Sequence, residues 1–486
     1  MTELKAYPRG FIFSKKPLDN IPAHYKRQEI QGYHYYYDEI MDVNIVRDDT
    51  GYILIHGDFF HVSAKETLTK KELLNALLNL YKTNYVKYLN LLDNVTGRYT
   101  IIVCYEEEIN IYTDPSNTRS TYFTLSDLVV SSHVNLINDN FRFKKSGISY
   151  ALSNALYYTS YEEIRSTIAN FSVNLNKNKY KRIFPRSRNR YTNLSSDEKY
   201  KLYNKISNQI FSYITSHYDE KLLSLSGGGD SRFSMALSKK YKDKIKYFTY
   251  VTNPHNDQST PVKREAHKDL TIVKQMLDNL DFNHKFCYLN QIQNDYTAQE
   301  KKIIRKNTIA PHSMFLINLS RKFLPIEGKV VHIRSNLYEI GQAGAYKKTY
   351  RESNLEQFKI AFDKRYKKLL KPEDSIEEYD RAYYEFMNEL GYTDFIYDYH
   401  LLDLYLWEIR LSRWHSEILN THDVCFETLS PFNHRILLEI ALSFNYEYRK
   451  NGQMFQELIN INWPVLNFFG DNNIKNMYES NKNFKS

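Results

Sequence analysis

The chain has little cysteine and no long hydrophobic run. Its three cysteines, Cys104, Cys287 and Cys425, lie far apart in the 486 residues and form no CxxC or Cys/His cluster. We therefore expect buried thiols in a reducing compartment, without disulfides or zinc. No stretch of about 18 apolar residues occurs, and the start MTELKAYPRGFIF has no apolar core of signal-peptide length. The sequence thus predicts a cytoplasmic protein with no membrane partner.

Two common phosphate-binding motifs are also absent. The chain contains no GxxxxGK(S/T) motif, and where its glycines cluster, the third glycine of a GxGxxG motif falls on Arg232, whose side chain prevents close packing. Nucleic-acid binding is not indicated either, because the net charge of +9, from 66 basic and 57 acidic residues, is mild for this length. An anionic small ligand fits that charge equally well.

The composition indicates a globular, aromatic-rich chain, with 42% hydrophobic residues, 43 tyrosines and 27 phenylalanines. The amino-terminal half contains short β-favouring runs, such as residues 99–104 and 109–113, separated by polar turns. Residues 70–93 carry leucines at helical spacing. We expect antiparallel sheet mixed with helices in this half.

Residues 177–190 contain seven basic residues and no acidic residue, together with Pro185. A phosphate or nucleic-acid patch is one interpretation, but a solvated linker is the more common structure for such a run, and we favour it. The run predicts a boundary between an amino-terminal domain at residues 1–190, linker included, and a second domain at residues 191–486.

The second half alternates between helix and strand patterns. A capping box formed by Ser195 and Glu198 starts a helix, and another helix is entered at Pro261. The β-favouring runs of this half are residues 221–226, 246–252, 284–289 and 329–336. This alternation predicts a parallel sheet.

A mainly helical region follows from about Leu355. Four large apolar residues in it are spaced as one stripe of a helix: Leu404, Trp407, Leu411 and Trp414. We expect this stripe, including both tryptophans, to be buried in the core.

The run SGGGDS, from Ser226 to Ser231, lies between a predicted strand and a predicted helix. A helix amino terminus exposes unpaired N–H groups and the positive end of its dipole, and glycines leave the backbone bare. The loop is therefore suited to cradle an anion such as phosphate. A helix-capping Asp/Ser turn is the alternative interpretation of the same residues.

This loop resembles the SGGxDS loop of the pyrophosphate-releasing ATPases, and it looks most like that of asparagine synthetase and its relatives, which include β-lactam synthetases and lasso-peptide cyclases. The resemblance implies ATP and Mg²⁺ as cofactors. The residues implied to bind the ATP phosphates are Ser226, Gly227, Gly228, Gly229, Asp230 and Ser231. Asp230 and Glu339 are implied to hold the metal.

Three other stretches carry the same resemblance. The matching residues are Gly97, Asp114, Pro115, Arg119 and Tyr122 in the first half, Glu339 after the fourth predicted strand, and Glu427, Pro431 and Phe432 near the carboxyl terminus. The implied fold class is α/β. An amino-terminal Ntn-hydrolase-like α+β domain is followed by a PP-loop parallel-sheet domain with a helical carboxyl-terminal part.

The chain departs from the family pattern at two catalytic places. Thr2 stands in place of the nucleophilic cysteine, so we predict no glutaminase activity and a structural or substrate-platform role for the first domain. Tyr338 replaces the metal-binding Asp, which leaves Glu339 as the carboxylate there and Arg334 to take anionic charge. Tyr338 either forms a base dyad with Glu339, as in β-lactam synthetases, or is a packing residue.

The family's carboxyl-terminal lysine is also missing. Gln453 or Met454 occupies its place, and Arg449 or Lys450 are the available substitutes, although we expect both on the surface at a helix start. Asp269 lies where relatives carry an acid on the helix after the second strand. A solvent-facing Asp269 is equally compatible with the sequence.

The resemblance implies a carbon–nitrogen ligase that uses ATP to adenylate a carboxylate of a small molecule or peptide. It would release pyrophosphate and transfer the acyl group to an amine, in natural-product, peptide or polysaccharide modification. Two alternatives stay open: a catalytically impaired binding protein, and a PP-loop enzyme that modifies tRNA and contacts it through the basic segment. A homodimer is compatible with the sequence.

Overall fold

The computed structural model describes residues 4–251, 260–291, 296–309, 314–324, 327–344, 352–372 and 374–470. The amino-terminal half holds two antiparallel sheets, and a parallel sheet and a helical region follow. Within these residues no helix is both long enough and apolar enough to cross a membrane. Cys104 and Cys287 are buried free thiols, as expected, whereas Cys425 is partly exposed.

The two antiparallel sheets have six strands each. The strands are β1 (Phe11–Ser14), β2 (Tyr25–Ile30), β3 (Tyr33–Asp38), β4 (Val43–Asp48), β5 (Gly51–His61), β6 (Val95–Tyr105), β7 (Glu108–Thr113), β8 (Tyr122–Thr124), β9 (Val129–Ser131), β10 (Ile164–Ser166), β11 (Phe171–Asn174) and β12 (Lys179–Arg182). The first sheet has the order β10-β8-β9-β1-β3-β2, and the second has the order β12-β11-β7-β6-β5-β4.

Four helices accompany these sheets: α1 (Lys70–Thr83), α2 (Tyr85–Leu92), α3 (Val134–Phe141) and α4 (Tyr150–Ala155). The helical segment expected at residues 70–93 is thus two helices. The break falls at Asn84, whose side chain accepts a hydrogen bond from the Lys87 N–H and so caps the second helix.

The sheets stack face to face between layers of helix. Because side chains alternate along a strand, Leu54 of β5 joins Phe11 of the first sheet in one core, whereas Ile53 joins Leu73 of α1 in another. The outer face of the first sheet packs against Leu136 of α3. The result is a four-layer α/β/β/α arrangement.

The parallel sheet has five strands: β13 (Glu220–Ser224), β14 (Lys246–Val251), β15 (His284–Tyr288), β16 (Val330–Ile333) and β17 (Glu427–Leu429). Their order is β15-β14-β13-β16-β17, and every neighbouring pair is parallel. The four strands expected from the sequence are confirmed within a few residues. The fifth was not predicted, because a three-residue strand carries no visible alternation.

The helices of this half are α5 (Ser196–His217), α6 (Gly229–Leu237), α7 (Pro261–Asn279), α8 (Ala298–Asn307), α9 (Phe315–Phe323), α10 (Tyr338–Gly341), α11 (Leu355–Tyr366), α12 (Ile376–Glu389), α13 (Leu401–Tyr405), α14 (Ser412–His422), α15 (Arg435–Leu442), α16 (Tyr446–Lys450), α17 (Gln453–Asn462) and α18 (Val465–Phe468). Short 3₁₀ helices lie at Lys239–Lys244, Leu289–Gln291 and Lys367–Leu369, and a π-helix lies at Leu406–Leu411. The expected α/β fold class is confirmed: an α+β half with two antiparallel sheets, then a parallel sheet with a helical carboxyl-terminal part.

The basic segment at residues 177–190 is not a solvated linker. Lys179–Arg182 form β12, and three arginines of the segment form ion pairs with buried carboxylates: Arg182 with Glu408, Arg186 with Asp93, and Arg190 with Glu439. The prediction was wrong because it counted only the charges within the segment, whereas the acids that pair with these arginines are distant in the sequence. The boundary at residue 190 stays a prediction.

The expected buried stripe of the helical region holds for only three of its four residues. Leu404, Trp407 and Leu411 are buried, but Trp414 is 38% exposed. A π-helix of Leu406–Leu411 precedes Trp414 and widens one helical turn. The widened turn rotates the following residues around the axis, so a stripe counted at the α-helical period fails there.

Four buried charges join the two halves. Arg98 of β6 donates to Asp423 at 2.9 Å and to Glu427 at 3.1 Å. Arg119 donates to the same two carboxylates at 3.1 and 2.9 Å. Burial raises the pKa of the Glu427 carboxyl, but Arg119 and Arg98 outweigh this and hold its pKa below the usual range. Two cations and two anions thus compensate each other away from water.

We expect Glu427→Gln to lower the free energy of unfolding by about 3 kcal/mol at neutral pH, because it leaves two buried guanidinium groups with one carboxylate. The carboxyl pKa is depressed in the folded state, so its contribution declines as the pH falls below the unfolded value of about 4.3. Urea unfolding at several pH values measures both the loss of unfolding free energy and its dependence on pH. Glu108→Gln, at the exposed Lys177 pair, is the control and should cost less than about 1 kcal/mol. Equal losses of unfolding free energy in Glu427→Gln and Glu108→Gln would contradict a stabilising role for the buried charge cluster.

A second buried carboxylate at this interface has no charged partner among the described residues. Glu417 of α14 accepts hydrogen bonds from Thr308 Oγ1 at 2.7 Å, from the Ile309 N–H at 3.0 Å and from the Tyr122 hydroxyl. Burial raises the pKa of Glu417 to about 7. The folded protein therefore holds this group protonated at a pH where the unfolded chain ionises it.

We expect the stability contribution of Glu417 to fall as the pH rises from about 4.3 to about 7, by on the order of 3 kcal/mol. Glu417→Gln keeps a neutral side chain at every pH. Urea unfolding of both proteins between about pH 5 and about pH 8 should show the wild type losing stability relative to the variant as the pH rises. A difference that does not change with pH would refute the raised pKa.

Candidate functional site

The candidate site lies at the carboxyl ends of the parallel strands. The next two strands in the sequence, β14 and β15, lie on one side of β13, and the later strands β16 and β17 lie on its other side. In such sheets, ligands bind in the crevice where the strand order reverses, here between β13 and β16. The glycine loop follows β13 and Arg334 follows β16, so both predicted elements meet at this crevice. The crevice opens into a cavity of about 780 Å³.

The glycine loop is held by its own hydroxyls and by Asp269. Helix α6 begins at Gly229, which puts Asp230 and Ser231 in its first turn. Ser231 Oγ accepts from the Ser226 N–H at 3.0 Å. Asp269 Oδ1 accepts from the Gly227 N–H at 2.8 Å, so Asp269 serves the loop rather than facing solvent. Asp269 is thus a loop-positioning residue.

The loop glycines are not required by backbone conformation. The glycines with positive φ in the described parts of the chain do not include Gly227, Gly228 or Gly229. Gly228 has a φ of −76°, and a Cβ added there would meet Ser226 Oγ at 3.3 Å with no closer neighbour. A methyl group at Gly228 would require Ser226 Oγ to shift by a few tenths of an ångström, and the backbone of Gly228 lines the cavity.

The cavity wall provides positive charge opposite the loop. Arg334 and Lys450 both line the cavity, together with Asp230 and Ser231. Burial lowers the pKa of the Arg334 guanidinium, which donates to His422 Nδ1 at 3.3 Å. Lys450 has no carboxylate within 4.0 Å in the described residues. This arrangement is suited to an anion with several oxygens.

Tyr338 and Glu339 point to different surroundings. Tyr338 is buried against Phe432 and Phe233, its hydroxyl lies 3.0 Å from Ser234 Oγ, and it lines neither cavity. These contacts favour the packing alternative over the base dyad. Glu339 lines a second cavity of about 640 Å³, and burial raises its carboxyl pKa.

The two predicted metal ligands, Asp230 and Glu339, also line different cavities. Asp230 lines the glycine-loop cavity, where its Oδ1 accepts from Gln342 Nε2 at 2.9 Å, and Glu339 lines the second cavity. No group of three or more His, Cys, Asp or Glu residues is placed to hold a metal in the described parts of the chain. Asp230 alone fits the way Mg²⁺ binds phosphorylated substrates, through one carboxylate and the phosphates themselves.

The two candidate substitutes for the missing lysine have different roles. Arg449 was expected on the surface but is buried, and it donates to Asp403 Oδ2 at 2.8 Å and to the Ile340 carbonyl at 2.9 Å. It therefore fixes α10, the helix that carries Glu339. Lys450 lines the cavity instead, and is the residue available to contact a bound anion.

Sequence reasoning missed most of the cavity's polar wall. The polar lining residues it did not predict are Ser224, Arg232, Tyr250, His332, Ser335, Asn336, Gln342, Asn451, Gln456 and Asn467. Ser335 and Asn336 are the last two residues of the run predicted as a strand at 329–336, which is a usable signal because the carboxyl ends of parallel strands meet at one edge. Asn451, Gln456 and Asn467 carry no such signal, since they arrive from the far end of the chain. Thr2 lies outside the described residues, so the expected lack of glutaminase activity stays a prediction.

Comparison with known proteins gives only distant similarities. No protein-family model and no curated protein matches the chain. It is similar to a solved structure of the allosteric regulatory enzyme of purine biosynthesis, with a TM-score of 0.24 and 12% identity over 57% of this chain and 65% of that one. It is also similar to the glutamine phosphoribosylpyrophosphate (PRPP) amidotransferase from B. subtilis complexed with ADP and GMP, with a TM-score of 0.22 and 11% identity over 73% of each chain. The chain thus spans 65% of the length of the first of these structures.

Proposed function

We propose that the protein is an ATP-dependent ligase of the asparagine synthetase type, which adenylates a carboxylate and transfers the acyl group to an amine. The observation that carries this proposal is the position of the glycine loop, which opens a helix at the switch point of the parallel sheet. A triphosphate is the anion that suits this place, because helix N–H groups, the Ser226 and Ser231 hydroxyls and the cations Arg232, Arg334 and Lys450 converge on one cavity.

In this proposal the substrate carboxylate attacks the α-phosphorus of ATP, and the bond to the bridging oxygen breaks to release pyrophosphate. Ser226, Ser231 and the loop N–H groups hold the pyrophosphate, while Asp230 holds the Mg²⁺ that screens its charge. Arg334 and Lys450 take up the negative charge on the opposite wall. The amine then attacks the acyl carbon, Glu339 accepts its proton, and AMP leaves.

The two alternatives fare differently. Three of the seven basic residues in the segment expected to contact tRNA pair with buried carboxylates, which weakens the feature that favoured an RNA substrate. The separation of Asp230 from Glu339 favours an impaired enzyme that binds a nucleotide without turnover. Pyrophosphate release decides between the ligase and this second candidate.

We expect the wild type to release pyrophosphate from ATP and Mg²⁺ when supplied with a panel of carboxylates and amines. Asp230→Ala should lower the rate roughly 100-fold or more, because the metal loses its protein ligand. Asp243→Ala, at an exposed aspartate of the same half, is the control and should keep the full rate. ATP binding without any pyrophosphate release across the panel would favour the binding protein.

The nucleotide site can be tested without knowing the substrates. Gly228→Ala should change the thermal midpoint only slightly, because the backbone φ is allowed for alanine and the one tight neighbour, Ser226 Oγ, is a side-chain atom that has to shift by a few tenths of an ångström. The same methyl group should weaken ATP binding by about tenfold or more, since it occupies space that a phosphate needs. Gly147→Ala, where an added Cβ meets nothing within 4 Å, is the control. Unaltered ATP affinity in Gly228→Ala would overturn the nucleotide site.

A further inference from the structure

The second cavity lies on the far side of α10 from the glycine loop. Gln342, just after α10, lines the loop cavity and bonds to Asp230, whereas Glu339 in α10 lines the second cavity. One short helix is therefore the wall between the two spaces. A molecule bound in the second cavity would lie next to whatever the glycine loop holds.

The body of this cavity is apolar and aromatic. It is lined by Phe358 and Phe362 of α11, by Leu402 and Tyr405 of α13, and by Trp414 beyond the π-helix. Its volume of about 640 Å³ is in the range of cavities that bind molecules larger than a single amino acid. The π-helix that turns Trp414 out of the core is what brings it to this surface.

Four cations line the same cavity without acidic partners. They are Lys364, Arg365, Lys368 and Arg410. No carboxylate of the described residues lies within 4.0 Å of their side-chain nitrogens, whereas two neighbouring lysines are neutralised: Lys359 pairs with Asp363 and Asp380 at 2.7 Å, and Lys367 pairs with Asp363 at 3.1 Å. Within the described residues, the cations beside the cavity are thus paired with carboxylates and the lining cations, of which Lys364, Arg365 and Lys368 are exposed, are not.

The carboxylate of the cavity is at its inner end. Glu339 is the acidic residue among those that line it, and its buried Oε2 atom has no hydrogen-bond partner in the described residues. A buried, unpartnered carboxylate oxygen is costly unless a ligand supplies a donor. An ammonium or amine group is the donor that best matches its charge.

We propose that the second cavity binds the amine substrate of the ligase, and that this substrate is an amphipathic molecule with an apolar or aromatic body, an amine at Glu339 and an anionic group at the lysines and arginines. This proposal rests on the proposed function for the role of the amine. A peptide-sized molecule that presents a free amine at one end and a carboxylate at the other has this chemistry.

The test uses the dipeptide phenylalanylglutamate and two analogues. N-acetyl-phenylalanylglutamate lacks the amine, and phenylalanylglutamine amide lacks the anionic groups. We expect calorimetry to show saturable binding of phenylalanylglutamate to the full chain and about tenfold weaker binding of each analogue. Trp414→Phe should remove the tryptophan fluorescence change on binding, which places the ligand in this cavity.

Charge variants test the cationic wall. The double variant Arg365→Gln/Lys368→Gln should weaken phenylalanylglutamate binding by about tenfold and leave phenylalanylglutamine amide unaffected. Lys367→Gln, outside the cavity and paired with Asp363, is the matched control and should bind as the wild type does. No saturable binding by the wild type, or equal binding by the double variant, would overturn the proposal.

The two proposals fail separately. If phenylalanylglutamate binds as expected but Gly228→Ala leaves ATP affinity unchanged, the nucleotide site is refuted and the amine cavity stands. If ATP binding responds to Gly228→Ala and the dipeptide does not bind, the ligase proposal stands and the amine cavity is refuted. In the fully supported case, saturating ATP should not displace the dipeptide, because the two molecules contact different lining residues.

Discussion

The buried cluster of Arg98, Arg119, Asp423 and Glu427 is the constraint on which the position of the candidate site depends. Glu427 is the first residue of β17 and pairs in register with Val331 of β16. Because two arginines of the amino-terminal half fix Glu427, they also fix the edge strand β17, which pairs with β16, the strand that Arg334 follows. Charges this deeply buried tolerate little displacement, since each lost partner leaves an uncompensated ion. The first half therefore holds one wall of the crevice in place.

This coupling explains which parts of the structure the sequence could predict. The capping box at Ser195, the parallel strands and the glycine loop are local patterns, and each is found within a few residues of its expected position. The failures concern partners that are distant in sequence. The acids that neutralise residues 177–190 are Asp93, Glu408 and Glu439, and the buried partner of Arg449 is Asp403.

The exposed Trp414 is a different kind of failure. Its spacing from Leu404 and Trp407 is correct for an α-helix, and only the π-helical turn between them changes its direction. No local propensity marks such a turn, because the residues of Leu406–Leu411 are ordinary helix formers. Such single turns are frequent at functional sites, and this one opens a cavity surface that a regular helix would have closed.

The separation of Tyr338 from Glu339 sets the chemistry that the site can support. With Tyr338 packed between Phe233 and Phe432, one carboxylate is left on the far side of α10 and one, Asp230, at the glycine loop. A single ligand for Mg²⁺ is sufficient only if the triphosphate supplies the remaining oxygens, so the metal would bind with the nucleotide rather than before it. In the proposed ligase, a single base at Glu339 would be sufficient only if the amine reached it without water in between, and the apolar body of the second cavity would exclude that water. In the proposed ligase, the triphosphate in the first cavity would thus replace a second metal-binding carboxylate, and the apolar body of the second cavity would allow Glu339 to act as the single base.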